Sequence, residues 1–145
     1  MDPGKMQVHI LYFTQTGSVL AAKLARELAR VENVTYASGK GCCKEWTAEH
    51  FRKGNVLVYI GACGIAVRAV APHIGSKETD PAVIVIDEKG ENVIPILAGH
   101  LGGELEGTRR MTRIIGSLKK SAERPSLMRY AVGQDVLKLE DDSHD

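Results

Sequence analysis

The sequence predicts an α/β domain: an open, three-layer, mixed and mostly parallel sheet that includes one β-hairpin. Three observations carry this. Short runs of β-branched and aromatic residues alternate with amphipathic segments of helical period. The run Asn55–Ile60 is apolar from Val56 onward, as strands covered on both faces tend to be. Two later apolar runs, Ala82–Ile86 and residues 92–97, are separated only by the polar residues 87–91, the spacing of a hairpin, so the sheet is mixed.

Taken in order, residues 8–13 form a first strand that runs into a polar turn, Thr14-Gln15-Thr16-Gly17-Ser18. Beyond Val19, the apolar residues Leu20, Leu24, Leu28 and Val31 recur at three and four with charges between them, which predicts a helix capped by Ser18. A short strand over 34–36, the loop Gly39-Lys40-Gly41-Cys42-Cys43 and a modest helix over 47–52 come next. After Asn55–Ile60 the chain breaks at Gly61-Ala62-Cys63-Gly64, and residues 65–70 predict a short helix that ends before Pro72. Residues 75–81 are a polar loop leading into the hairpin. Ala98-Gly99-His100-Leu101-Gly102-Gly103 follows it, then a helix through Leu105, Thr108, Arg109, Met111, Thr112 and Ile115, closed by Gly116. Residues 1–116 thus read as one domain. Residues 117–145, with Lys119-Lys120, Pro125 and an acidic end, read as a divergent, poorly ordered tail.

Composition narrows the function. A chain of 145 residues is about one domain, able to bury roughly 70% of its extended surface. Apolar residues at 43% and charged residues at 26% exclude wholesale disorder. Nineteen Lys and Arg against eighteen Asp and Glu leave a net charge of +1, too weak a field to draw in a nucleic-acid backbone. The start lacks an apolar stretch behind a basic leader, and the apolar run 56–67 falls short of the ~20 residues that span a bilayer. Three cysteines without a CxxC pair suit a reducing compartment, so the expectation is a cytoplasmic protein with no membrane or nucleic-acid partner. No HExxH or CxxC is present, so no bound catalytic metal is expected, and Cys63 reads as a buried small thiol rather than a nucleophile.

Three glycine-bearing loops, over 14–18, 61–64 and 99–103, each follow a strand and precede a helix. Such junctions leave backbone N–H groups free beside the positive end of a helix, so they suit anions and polar ligand atoms. Glycine that merely permits a sharp turn explains any one of them equally well.

Three segments are more specific: Gly61-Ala62-Cys63-Gly64-Ile65-Ala66-Val67-Arg68, Ser76-Lys77-Glu78-Thr79-Asp80-Pro81-Ala82-Val83 and Gly99-His100-Leu101-Gly102-Gly103. In that order and spacing they closely resemble the amino-terminal half of CbiG, the cobalt-precorrin 5A hydrolase family of anaerobic cobalamin biosynthesis. The resemblance runs from about residue 8 to 115 and is strongest from Gly61 to Gly103. It implies an enzyme that opens a ring lactone on a cobalt-containing tetrapyrrole, releases acetaldehyde and yields cobalt-precorrin 5B. It implies no cofactor, because the cobalt arrives in the substrate. Family members continue into a further strand and a carboxy-terminal domain, and they place a small residue and Asn where this chain has Glu104 and Leu105. The expectation is therefore a shortened member whose partners are the tetrapyrrole and a separate carboxy-terminal domain or other pathway enzymes.

A corrin precursor carries many carboxylates, so its pocket should offer cations and N–H donors at separate points. Lys77 in its loop suits ligand contact, with Thr79 beside it; Arg68 suits either contact or an exposed helix position. Gly61, Gly64, Gly99, Gly102 and Gly103 would supply backbone donors. Lactone opening needs a base for water and donors where the carbonyl oxygen gains charge. His100 is the candidate base, since an imidazole titrates near neutral pH. Asp80 would orient it or act as base, although Asp before Pro is equally a turn-former. A single pocket requires the 76–81 loop to climb back so that the Ala82 strand begins beside Gly61. The alternatives are a non-catalytic corrinoid-binding remnant and a flavodoxin-like, flavin-binding electron carrier. The latter is suggested by the phosphate-loop-like 13–18 and weakened by an aromatic content of 5%.

Overall fold

The computed structural model describes residues 7–30, 32–76, 78–98, 109, 112, 113, 115, 116, 129 and 130. Six strands, β1 (Gln7–Tyr12), β2 (Asn33–Ser38), β3 (Asn55–Ile60), β4 (Ala82–Ile86), β5 (Asn92–Ala98) and β6 (Arg129–Tyr130), form one sheet in the order β2-β1-β3-β4-β5-β6. The first four are parallel, and β5 runs antiparallel to β4. Helices α1 (Gln15–Leu28), α2 (Cys43–His50) and α3 (Cys63–Val70), with a 3-10 turn over Ala71–His73, connect the parallel strands. The mixed, mostly parallel three-layer α/β architecture is the expected one.

Alternation divides the strands between two apolar layers. Val8, Ile10, Val56, Val58, Ile60, Ala82, Ile84 and Ile86 pack under Leu24 and Leu28 of α1 and under Ile115. Leu11, Leu57, Tyr59, Val83 and Val85 pack under Trp46 of α2 and Ala66, Ala69 and Val70 of α3. β3 and β4 are buried from both sides, the reason their sequences are continuously apolar. In the second layer Thr47 and Tyr59 share a buried hydroxyl hydrogen bond of 2.6 Å, and burial pushes the phenol up to about 12.

Helix starts differ from the expectation. α1 begins at Gln15, capped by Thr14 rather than Ser18, because the Thr14 hydroxyl accepts from the Gly17 amide at 3.0 Å. Ser18 instead donates to the Gln15 carbonyl. α2 occupies Cys43–His50 rather than 47–52 and carries no side-chain cap; Trp46 and Thr47, buried against β3, hold it. β2 is longer than 34–36, and α3 starts at Cys63. Arg109, Thr112, Arg113, Ile115 and Gly116 are helical, so Gly116 continues that helix rather than closing it. Within the expected tail, Arg129 and Tyr130 pair with β5; the remainder of 117–145 lies outside the described residues.

Pro95 lies inside β5, where a proline removes a ladder donor. The register resolves this with a bulge. Val83 faces Leu97 but Ile84 faces Pro95, so Ile96 is an extra residue. Alternation slips there, and Ile94, Ile96 and Leu97 all pack against the second layer.

Two tests of this packing follow from close contacts. A Cβ on Gly39 would stand 2.6 Å from Phe13 Cε1 and 2.7 Å from Cδ2 of the fully buried Leu11. Gly39→Ala should therefore lower stability by about 1–2 kcal/mol, read as a drop in urea midpoint at constant slope.

The second test concerns the imidazoles of His9 on β1 and His50 on α2, which stack with centroids 4.1 Å apart, while His9 Nδ1 shares a 2.7 Å hydrogen bond with Thr35 Oγ1. Burial first, then the neighbouring His50, lowers the His9 pKa to about 4, with Glu49 opposing. The folded value lies below the unfolded one of 6.5, so this ring favours the fold above pH 6.5 and the contribution is lost as pH falls towards 4. For a half-buried ring the loss is about 1 kcal/mol after solvent screening. His9→Phe should flatten that part of a pH-stability profile.

Candidate functional site

Parallel strands give the sheet two unlike edges. At the edge where β1 to β4 end stand the Thr14 turn, Gly61 and the hairpin. At the edge where they begin stand the 51–54 turn, the 75–81 loop and the end of β5. The two are separated by about 17 Å, the length of a five-residue strand.

Gly61 donates its amide to the Ile86 carbonyl at 2.9 Å, which fixes it at the strand-end edge. Its φ of +158° and a space where a Cβ would lie 3.2 Å from the Phe13 ring explain glycine there by backbone geometry. Gly64 is exposed in the first turn of α3, with open space around it. Cys63, expected to be buried, is exposed because it opens the helix.

Asp80 lies at the other edge. Ala82 pairs with Val56, not beside Gly61, so the single shared pocket expected from the sequence is not formed. α3 and the turn after it carry the chain the whole way back across the sheet, as a parallel crossover requires. The loop then spends its length on a tight turn instead of climbing. Thr79 and Asp80 amides donate to the Ser76 carbonyl at 3.2 and 2.9 Å, and the Ser76 and Thr79 hydroxyls meet at 3.0 Å.

Asp80 is buried, and both its carboxylate oxygens accept from the Gly75 amide, at 3.0 and 3.1 Å. This is a clamp across the loop, with the character of the turn-former reading. Thr79 is exposed beside it, and Arg68 is exposed in the last turn of α3. Lys77, Gly99, His100, Gly102 and Gly103 lie outside the described residues. Ala98, however, pairs with Ala82, so β5 delivers the chain to the edge where Asp80 stands. Gly75 and Ser76 were missed by sequence reading. Their signal is an Asp four and five residues beyond small polar positions, a spacing that closes a loop upon itself.

The strand-start edge also reverses the expected electrostatics. It receives the carboxyl ends of α2 and α3, whose partial charge is negative. A helix end contributes about 0.3–1 kcal/mol at an exposed site, less than a well-placed charge-assisted bond. Carboxylates there are met by loop amides, as the Gly75 amide meets Asp80, and by side chains, not by helix amides.

At the strand-end edge the flavin-phosphate reading meets a specific obstacle. The Thr14 hydroxyl donates to Glu88 Oε2 at 2.7 Å, so the hairpin already sets a carboxylate at the start of α1. A phosphate would meet like charge. Glu88 was not singled out in the sequence, since only the fold brings it beside Thr14.

Comparison with known proteins agrees with the motif reading. Residues 45–119 match the family described as cobalamin synthesis G N-terminal. A cobalt-precorrin-5A hydrolase of Salmonella typhimurium is 48% identical over 67 residues, 46% of this chain and 19% of that protein. One from Priestia megaterium is 54% identical over 55 residues, 38% of this chain and 15% of that protein. A crystal structure of a cobalamin biosynthesis protein G homologue from Sulfolobus solfataricus superposes with a TM-score of 0.67 at 22% identity, covering 87% of this chain and 36% of the other, which shows the shared fold. The chain spans less than a fifth of the length of the two hydrolases. With more than half of its residues inside the matched region, it belongs to the cobalamin synthesis G N-terminal family.

Proposed function

We propose that this chain acts in anaerobic cobalamin biosynthesis, in the cytoplasm, on the ring lactone of cobalt-precorrin 5A. The supporting observation is the match of residues 45–119 to the family, which spans the Ser76 to Val83 and Gly99 to Gly103 segments. The pairing of Ala82 with Ala98 adds to it, since it joins the strands that border those segments at one edge. Cobalt enters with the substrate, and no further cofactor takes part.

In this reading water adds to the lactone carbonyl while His100 accepts its proton, and Gly102 and Gly103 offer N–H donors to the oxygen that gains charge. The ring C–O bond breaks to leave a carboxylate and a hydroxyl; the hydroxyl then loses its proton as its carbonyl forms, the C–C bond to the macrocycle breaks, and the macrocycle keeps the electron pair and takes up a proton, releasing the methylated bridge carbon as acetaldehyde. Lys77, Thr79 and Arg68 hold peripheral carboxylates. Asp80 keeps the Lys77 loop in shape through Gly75. The remainder of the longer relatives would act as a partner domain.

Anaerobic incubation with cobalt-precorrin 5A, with acetaldehyde as readout, tests this. The wild type should release acetaldehyde and His100→Ala should be slower. Release at an unchanged rate in the variant would remove His100 as base; no release from the wild type would remove the hydrolase reading.

A further inference from the structure

The strand-start edge carries a feature that none of the motif residues supply. Phe51 and His73 bring their rings together at 5.6 Å and 34°, which ties the turn before β3 to the turn after α3. Arg52 and Lys53, both exposed, stand between Phe51 and Gly54. Because Val56 pairs with Ala82, the 51–54 turn and the Asp80 loop enter neighbouring strands at the same edge of the sheet.

The turn is braced from within. The Phe51 amide donates to the Thr47 carbonyl at 2.9 Å, Arg52 to His50 at 2.8 Å, and Asn55 to Arg52 at 3.1 Å. The Asn55 amide group donates to the His50 carbonyl at 2.9 Å. Arg52 uses Nε on the Glu49 carbonyl, which leaves its two terminal nitrogens directed elsewhere. Among the described residues no ion pair involves Lys53. The acidic residues of the flanking segments are Glu45 and Glu49 on α2, both exposed, and Glu78 and Asp80 in the loop after His73, of which Asp80 is buried on the Gly75 amide.

We propose that Phe51 and His73 form a platform for the face of a flat, conjugated polycarboxylate macrocycle, and that Arg52 and Lys53 hold two of its peripheral carboxylates. This rests on the tetrapyrrole reading above and adds a docking surface to it. Three properties of the edge support this occupant. The exposed His73 imidazole offers a ring for stacking, and Phe51, half-buried against the second layer, backs it. Two cations lie beside it on a turn whose backbone is already hydrogen-bonded, so binding orders their side chains but not the backbone. The carboxyl ends of α2 and α3 repel an anion there, so exposed side-chain cations supply the long-range attraction. A single small anion would use the cations and leave the rings idle; a neutral aromatic would do the reverse. The combination suits a ligand with both.

The probe is uroporphyrin I, a metal-free octacarboxylate, titrated by fluorescence against the full chain. The wild type should bind, more weakly as salt rises. The double variant Arg52→Ala/Lys53→Ala should weaken binding about tenfold with a shallower salt dependence, as expected for two lost charge-assisted contacts. His73→Ala should weaken binding several-fold and His73→Phe should not, because the ring and not the charge is used. Lys44→Ala, at the far end of α2, should leave binding unchanged. Undiminished binding by the double variant, or no binding by the wild type, overturns the platform. Acetaldehyde release by the wild type together with either result leaves the hydrolase reading standing. Loss of binding in the double variant, beside a wild type that releases no acetaldehyde, keeps the platform and removes the hydrolase.

Discussion

Tyr59→Ala should cost this protein about 4 kcal/mol of stability, the upper range for deleting a buried aromatic. Its side chain has no exposed surface, lies edge-on to Trp46 at 5.4 Å and shares its hydroxyl with Thr47. Deletion therefore opens a cavity under α2 and strands the Thr47 hydroxyl. Finer variants separate the two effects. Tyr59→Phe keeps the ring but leaves Thr47 unpaired, and Thr47→Val leaves the phenol unpaired; each should cost about 1–2 kcal/mol. The double variant should cost clearly less than their sum, since neither group is then stranded. Urea denaturation monitored through Trp46 measures all four. Strict additivity would show that the hydrogen bond contributes nothing. As α2 has no side-chain cap, it should be the element most disturbed by Tyr59→Ala, visible as faster amide exchange over Cys43–His50.

Asp80→Ala should cost about 2 kcal/mol, the value for losing a charge-assisted bond when water can partly replace it. Both oxygens are engaged on the Gly75 amide, so the carboxylate spans five residues of chain and closes the loop that carries Thr79. Asp80→Asn keeps an acceptor of the same shape and should recover roughly half of the loss. Amide exchange at Gly75 should rise in the Ala variant and much less in the Asn variant. Equal exchange in both would mean that the loop is held by the Ser76 turn alone. In the assay for acetaldehyde, a clamp predicts that Asp80→Ala weakens substrate affinity more than turnover, whereas a base or an orienting partner of His100 predicts the opposite.

The strands were legible because their signals are local. Asn55–Ile60 and Ala82–Ile86 are apolar runs bounded by turn residues, and the polar 87–91 could only be a hairpin. Asp87 bears this out by accepting from the Lys89 and Glu91 amides and from the Asn92 side chain. The start of α1 was misplaced because Thr14 and Ser18 are both good caps, and only the approach of the Gly17 amide distinguishes them. α2 was misplaced for the opposite reason. Cys42, Cys43 and Lys44 give no start signal, and the helix exists through the contacts of Trp46 and Thr47 with a strand met later in the chain.

The candidate site was legible in its motifs and not in its assembly. Reach arithmetic allowed the 76–81 loop to cross the sheet, but it could not reveal that the Ser76 carbonyl collects two amides and folds the loop on itself. For the same reason Gly61 and Asp80, nineteen positions apart, part to opposite edges, while Ala82 and Ala98 come together. Phe51, Arg52 and His73 carry no motif at all. Phe51 and His73 meet across the turns that follow α2 and α3, a contact that a pattern of residue types does not encode.

The extra residue in β5 marks a point where the strand can lose one residue without changing which way the rest of it faces. Removing Ile96 would let Leu97 follow Pro95 directly, opposite Val83 and Ile84, so the ladder becomes regular while Leu97 and Ala98 keep their faces. A deletion in the regular part of the strand, between Val93 and Pro95, would instead reverse the facing of the residues on one side of it, and an insertion at the Lys89-Gly90 tip reverses none.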